Sequence, residues 1–190
     1  MSDFLTGLTK HGFSVIRNFL EVDEVFEHQS WVLTHRNLFQ PAAVGRGVSK
    51  VVSREIRSDL TYWIDWQEGQ NLQHRLRTRL EALKDQINGT LHLGLWELEA
   101  HYSIFPVGAF YQTHVDRFRH DDHRMLSVVL YLNSSWTEDD GGELYLNDFD
   151  LKVAPESGTL VCFLSSEIKH EVLKTNRERL SIAGWYRRRV

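Results

Sequence analysis

Two hydrophobic rhythms divide this chain. Before Gly89, apolar residues recur mainly at helical spacing. Leu72, Leu76, Leu80, Leu83 and Ile87 fall at i, i+4, i+8, i+11 and i+15, which predicts an amphipathic helix. Asn88-Gly89 marks its expected end. Val22, Val25, Phe26 and the 29–33 segment predict another helix, with Asp23 and Glu24 suited to its positive N-terminus. Phe4, Leu5 and Leu8 predict a short first helix ending near Gly12, and Phe13, Val15 and Ile16 a short strand. Residues 41–50, with Gly45 and Gly47, read as a mobile loop.

Beyond Gly89 the rhythm shortens to that of strands. Segments 96–105, 110–115, 124–132, 143–146, 158–164, 169–173 and 179–186 are separated by turn signals such as Asp140-Gly141-Gly142. Helices followed by many short strands predict an α+β fold. Its core is a β-sandwich or jelly-roll buttressed by N-terminal helices. The expected organisation is one domain over 1–190, with helical support to about residue 89 and the jelly-roll from about residue 90.

Composition narrows the picture only slightly. The 190 residues are 42% hydrophobic and 25% charged, as in an ordinary globular protein. The net charge of −4 provides no general field for nucleic acid. Arg187-Arg188-Arg189 is read as a solvated tail rather than a phosphate patch. A single cysteine, Cys162, excludes an internal disulfide and fits a reducing cytoplasm. Neither a membrane-length apolar run nor a signal pattern is expected.

The candidate chemistry lies in the β half. His114 and Asp116 are two positions apart, so on a strand both point to one side. His170 lies far downstream at another predicted strand. Two imidazoles and a carboxylate suit non-haem Fe(II), and with a water they also suit catalytic Zn. With ten histidines in the chain, His-x-Asp alone is weak. What raises it is that each of the three lies on or beside an apolar β segment, with Arg179-x-Ser181 following. The 120–123 run (His-Asp-Asp-His) is also ligand-rich but is read as a solvated loop.

These pieces together resemble a known family. FYQTHVD at 110–116, RMLSVVLYLN at 124–133, GGEL at 141–144, PESG at 155–158, HEV at 170–172 and RLSIAGW at 179–185 match in order and spacing. They resemble the Fe(II)- and 2-oxoglutarate-dependent dioxygenases of the prolyl 4-hydroxylase-like branch. The bacterial relatives of the oxygen-sensing prolyl hydroxylases look nearest. Upstream, EIRSD at 55–59 and Trp63-Ile64 extend the likeness to roughly residues 50–188.

The resemblance implies a double-stranded β-helix with Fe(II) held by His114, Asp116 and His170. It implies 2-oxoglutarate held at its far carboxylate by Arg179 and Tyr131, with Ser181 and Ser127 lining that pocket. O2 is consumed, succinate and carbon dioxide are released, and ascorbate is an expected reductant. Arg57, Asp59, Trp63, Arg124 and Trp185 match positions bordering a substrate groove, and the 41–53 loop matches one that covers bound protein substrate. One position departs: Phe105 stands where many members carry a tyrosine, so that hydrogen bond is either lost or supplied elsewhere, by Tyr102 or Tyr111.

The expected partner is a proline-containing loop of a protein, such as a translation factor like elongation factor Tu. Hydroxylation of a small metabolite or free amino acid is the alternative. Nucleic-acid demethylases resemble the chain less, because Trp185 stands where they carry a second arginine. A metal-binding jelly-roll without turnover is the non-enzymatic alternative.

Overall fold

The leucine stripe becomes the longest helix of the computed structural model, which describes residues 2–44, 51–69, 71–117 and 123–189. The three helices are α1 (Ser2–His11), α2 (Val22–Thr34) and α3 (Asn71–Leu91). α3 buries Leu76, Leu80, Leu83 and Ile87 along one side. It runs through Gly89 rather than stopping there. The Asn88 side chain is engaged elsewhere, bonding both the N–H and the carbonyl of Leu95 at 2.8 Å. The helix ends instead at His92, whose φ of 53° turns the chain into the left-handed region.

The strands are β1 (Phe13–Ile16), β2 (Gln40–Pro41), β3 (Leu60–Trp63), β4 (Leu95–Phe105), β5 (Tyr111–His114) and β6 (Arg124–Tyr131). They continue as β7 (Leu144–Leu146), β8 (Leu151–Val153), β9 (Leu160–Leu164), β10 (His170–Val172) and β11 (Arg179–Arg188). All seven predicted β segments form. β2, β3 and β8 are additional: each is short and pairs with a strand distant in sequence or across a tight turn, so local alternation does not reveal it. Val44 and Val51 form an antiparallel bridge, so the described ends of the predicted loop pair with each other. Gly45 and Gly47 lie outside the described residues, as do residues 120–122 of the acidic run.

The strands form two antiparallel sheets, in the orders β1-β9-β6-β11-β4-β3-β2 and β5-β10-β7-β8. This is the double-stranded β-helix expected from the sequence. The period-two alternation of the large sheet serves two cores. One face, carrying Tyr102, Ile104, Leu126, Leu130, Ile182 and Tyr186, packs with the helices. The other, carrying Phe105, Tyr131, Val161 and Phe163, packs with Leu144, Leu146, Val153 and Val172 of the small sheet. Each strand therefore delivers alternate residues to a helical core and to the barrel interior.

The basic C-terminal run is not a free tail. Arg187 and Arg188 belong to β11, Arg187 Nη1 lies 3.6 Å from Glu97, and the Arg189 guanidinium sits 4.8 Å from the Trp96 ring centre. Antiparallel pairing with β4 orders this stretch. No helix among the described residues is long and apolar enough to cross a membrane.

Candidate active site

His114 and His170 are cross-strand partners, paired directly between β5 and β10. That register brings two residues distant in sequence to one barrel rim. Asp116 lies just past the end of β5, and the ligand atoms of all three residues lie within 4.8 Å of one another. His114 Nε2 is 3.4 Å from Asp116 Oδ1, and His170 Nε2 is 3.6 Å from Oδ2.

The orientation of the two rings shows that this cluster fits a cation. His114 Nδ1 donates to the Gln112 carbonyl at 2.7 Å, and His170 Nδ1 donates to the Ile168 carbonyl at 3.0 Å. A carbonyl only accepts, so each Nδ1 carries the proton and each Nε2 presents a lone pair. Both lone pairs then face carboxylate oxygens. Such a convergence of acceptors is repulsive until a cation enters it. Packing holds the rings in place: Tyr111 stacks on His114 at 3.7 Å, and Phe163 lies 4.5 Å from His170 between ring centres.

The carboxylate is anchored too. Ser127 Oγ donates to Asp116 Oδ2 at 2.6 Å and meets Ser165 Oγ at 2.8 Å. Burial pushes the Asp116 carboxyl up, and the hydrogen bond from the Ser127 hydroxyl opposes it by favouring the carboxylate. Ser127 was expected to line the cosubstrate pocket. It is absent from that lining, and its hydroxyl is committed to Asp116.

Behind the triad a narrow chamber runs into the barrel, lined by Ser103, Phe105, Val129, Leu144, Arg179 and Ser181 among others. Arg179, at the start of β11, is 1% exposed and has no ion-pair partner among the described residues. Its Nη1 donates to Ser181 Oγ at 3.1 Å, while its Nε has no acceptor. The guanidinium sits 4.8 Å from the Phe105 ring centre and 5.0 Å from that of Tyr131. Burial pulls it below its ordinary pKa, with Tyr131 opposing, yet arginine remains cationic. The buried Tyr131 hydroxyl beside it also lacks a partner, and burial pushes its pKa up to about 12, so it stays a donor. A buried unpaired cation costs several kcal/mol unless an anion joins it. Gly142 permits this arrangement: at its φ of 68°, a Cβ would lie 3.1 Å from Arg179 Cδ and 2.9 Å from Thr175 Oγ1.

In front of the triad lies a wider groove of about 580 Å³. Arg57, His101, Tyr111, His114, Asp116 and Trp185 line both groove and chamber, so the triad stands at their junction. Trp63 and Arg124 line the groove. Arg124 stacks 3.7 Å over the Trp185 ring and its Nε donates to Glu99 at 2.7 Å. Asp59 does not border the groove. It is 2% exposed and grips Arg57 through two hydrogen bonds of 2.7 and 2.6 Å. This is a buried bidentate pair that aims Arg57, rather than the surface ion pair that an Asp–Arg combination usually makes.

Tyr102 does not supply the hydroxyl that Phe105 lacks. It faces the helices, where its hydroxyl meets His28 Nδ1 at 2.7 Å. Tyr111 does border the site, with Arg57 4.3 Å above its ring. His101 was not anticipated. It shares a strand face with Ser103 and Phe105, and extending the period-two reading back from Phe105 would have found it.

A model of the 2OG-Fe(II) oxygenase superfamily matches residues 100–187. A prolyl-4-hydroxylase from Pseudomonas putida is 38% identical, with a TM-score of 0.87 covering 100% of this chain and 99% of that one. A Trichoplax adhaerens prolyl hydroxylase, solved with a hypoxia-inducible factor peptide, is 28% identical with a TM-score of 0.84, covering 97% of this chain and 87% of that one. A hypoxia-inducible factor prolyl hydroxylase from Caenorhabditis elegans is 27% identical over 96% of this chain, which spans only 27% of that protein. By its barrel, its two-histidine, one-carboxylate cluster and these likenesses, the chain belongs to the 2OG-Fe(II) oxygenase superfamily, within its prolyl-hydroxylase-like family.

Proposed function

We propose that this protein hydroxylates a prolyl residue within a protein segment laid along the groove, with His114, Asp116 and His170 holding Fe(II). Bound Fe(II), with 2-oxoglutarate and O2, supplies the oxidation, releasing succinate and carbon dioxide as one oxygen atom passes to the substrate. The carrying observation is the buried, unpaired Arg179 at the closed end of a chamber that begins at the triad. Its planar guanidinium takes a carboxylate, and the orphaned Tyr131 hydroxyl donates to the same group. Ser181 fixes the guanidinium from the other side. Phe105, Val129, Leu144 and Val172 exclude water along the chamber.

The groove supports a macromolecular substrate. Its aromatic and cationic wall, Trp63, Trp185, Tyr111, Arg57 and Arg124, offers flat apolar surface for a proline ring and donors for backbone carbonyls. The Pseudomonas putida and Trichoplax adhaerens proteins bear prolyl hydroxylase names, which favours the same substrate class here. A translation factor is the first candidate.

The test is succinate formation by iron-loaded protein with 2-oxoglutarate, alongside intact-mass measurement of candidate protein substrates. A gain of one oxygen on a proline is expected. His170→Ala should abolish metal binding and turnover together. Succinate formed only with small metabolites would overturn the protein-substrate reading.

A further inference from the structure

Asp116 lies beyond the ladder that pairs His114 with His170, so strand pairing does not fix its carboxylate. Ser165, in the turn after β9, holds it from two directions. Its backbone carbonyl accepts the N–H of Arg117, the next residue along, at 3.1 Å. Its hydroxyl meets Ser127 Oγ at 2.8 Å, and Ser127 Oγ lies 2.6 Å from Asp116 Oδ2. Both serines are fully buried, so solvent does not compete for these hydroxyls. Ser165 lines neither the chamber nor the groove.

The direction of each bond follows from counting protons. As a metal ligand Asp116 is ionised, and a carboxylate only accepts. Ser127 has one hydroxyl proton, which therefore goes to Asp116 Oδ2. It has none left to give, so in the 2.8 Å contact Ser165 donates and Ser127 Oγ accepts. Among the described residues Ser165 Oγ has no other hydrogen-bond partner to draw that proton away. Donation into Ser127 Oγ polarises its O–H, strengthens the bond to the carboxylate and removes the free rotation of the hydroxyl. We infer that Ser165 is a positioning residue for the metal-binding carboxylate, acting through the Ser127 hydroxyl. This rests on the reading of His114, Asp116 and His170 as the Fe(II) ligands. It adds to them a residue that touches neither metal nor cosubstrate nor substrate.

The test is the Mn(II) affinity of the full chain, measured by competition with a chelator across a double-mutant cycle. Ser165→Ala removes the hydroxyl and keeps the carbonyl that Arg117 bonds. It should weaken Mn(II) binding roughly 3- to 10-fold, less than the loss of a direct partner of the ligand. In a Ser127→Ala background the same substitution should change affinity by less than about 2-fold, because the group it acts through is gone. A packing role would give the same loss in both backgrounds. Ser165→Cys keeps a similar volume but donates weakly, so it should match Ser165→Ala in both backgrounds, and it carries the comparison if the alanine variant does not fold. Unchanged affinity in either folded variant, or an equal loss with and without the Ser127 hydroxyl, would remove Ser165 from this role and leave the triad standing. Mn(II) affinity unaltered in His170→Ala would overturn the triad, and this inference with it.

Discussion

The two faces of the large sheet make different use of the same strands. Along β4, Tyr102 points to the helices while His101 and Ser103 point into the barrel. On the helical side, buried polar groups are neutral and largely meet each other: His28 with Tyr102, and the Tyr186 hydroxyl with the Leu80 carbonyl at 2.7 Å. Gaps exist there too, at Trp31 Nε1 and Gln73 Oε1, but none carries charge. On the barrel side a full cation, Arg179, is buried without a counter-charge, and Tyr131 and Trp185 have orphaned donors. Stability favours the first arrangement. The second makes physical sense only if ligands complete it. A fold can thus keep a site of incomplete polar groups on one face because the other face supplies the cohesion.

The sharpest way to break this contrast is Arg179→Met. It should lower 2-oxoglutarate affinity by about 2–4 kcal/mol, some 30- to 1,000-fold, while leaving metal binding in place. Without cosubstrate the same variant should be more stable than the wild type by about 1 kcal/mol or more, since an unpaired buried charge is gone. Isothermal titration and denaturant melts check both. A destabilised variant with normal affinity would dissolve the distinction between the faces.

Ser127→Ala tests the support behind the carboxylate. Removing the 2.6 Å bond to Asp116 should weaken metal affinity about 10- to 100-fold, measured by competition with a chelator. Cosubstrate affinity at saturating metal should change little, because Ser127 does not line the chamber.

Acid probes both faces at once. His28 and His101 have pKa values lowered from 6.5 to about 4, His28 by burial and then Arg75, His101 by burial and then Arg57. Their folded values lie below the unfolded one, so the unfolded chain takes up these protons first as pH falls. Stability from these groups is complete above pH 6.5 and drains away toward pH 4, by about 2 kcal/mol per histidine at pH 5. Urea melts at pH 7 and pH 5 measure it, and His28→Gln should remove about half of the dependence.

The smallest effect expected is that of Tyr102→Phe. It deletes the hydrogen bond to His28 and should cost about 1 kcal/mol of stability. Affinity for 2-oxoglutarate should stay at the wild-type value, because Tyr102 faces away from the chamber. A change in that affinity would show that the faces are coupled.

Much of this is legible in the amino-acid order alone. The α3 stripe and the seven β segments follow from periodicity, because burial on one side of a helix or strand imposes its own spacing. His114 and Asp116 can be placed on one side of a strand end for the same reason. Other features lie beyond local reading. β2, β3 and β8 are short, and their pairing depends on partners elsewhere. α3 ends past Gly89 because Asn88 bonds Leu95 across the following turn. Ser127 shares the barrel-facing side of β6 with Tyr131, and no pattern in the sequence distinguishes a hydroxyl that meets a cosubstrate from one that holds a carboxylate.

The sequence by itself determined the order of the elements, the two-faced alternation of the strands and the chemical types at the site. Those depend on side-chain chemistry and on spacing along one element. The tertiary structure alone decided that His170 stands opposite His114, that Asp59 is spent on Arg57, and that Arg179 and Tyr131 are buried side by side with unmet polar atoms. Register between distant strands and burial depth are sums over the whole packed chain, and no single segment carries them.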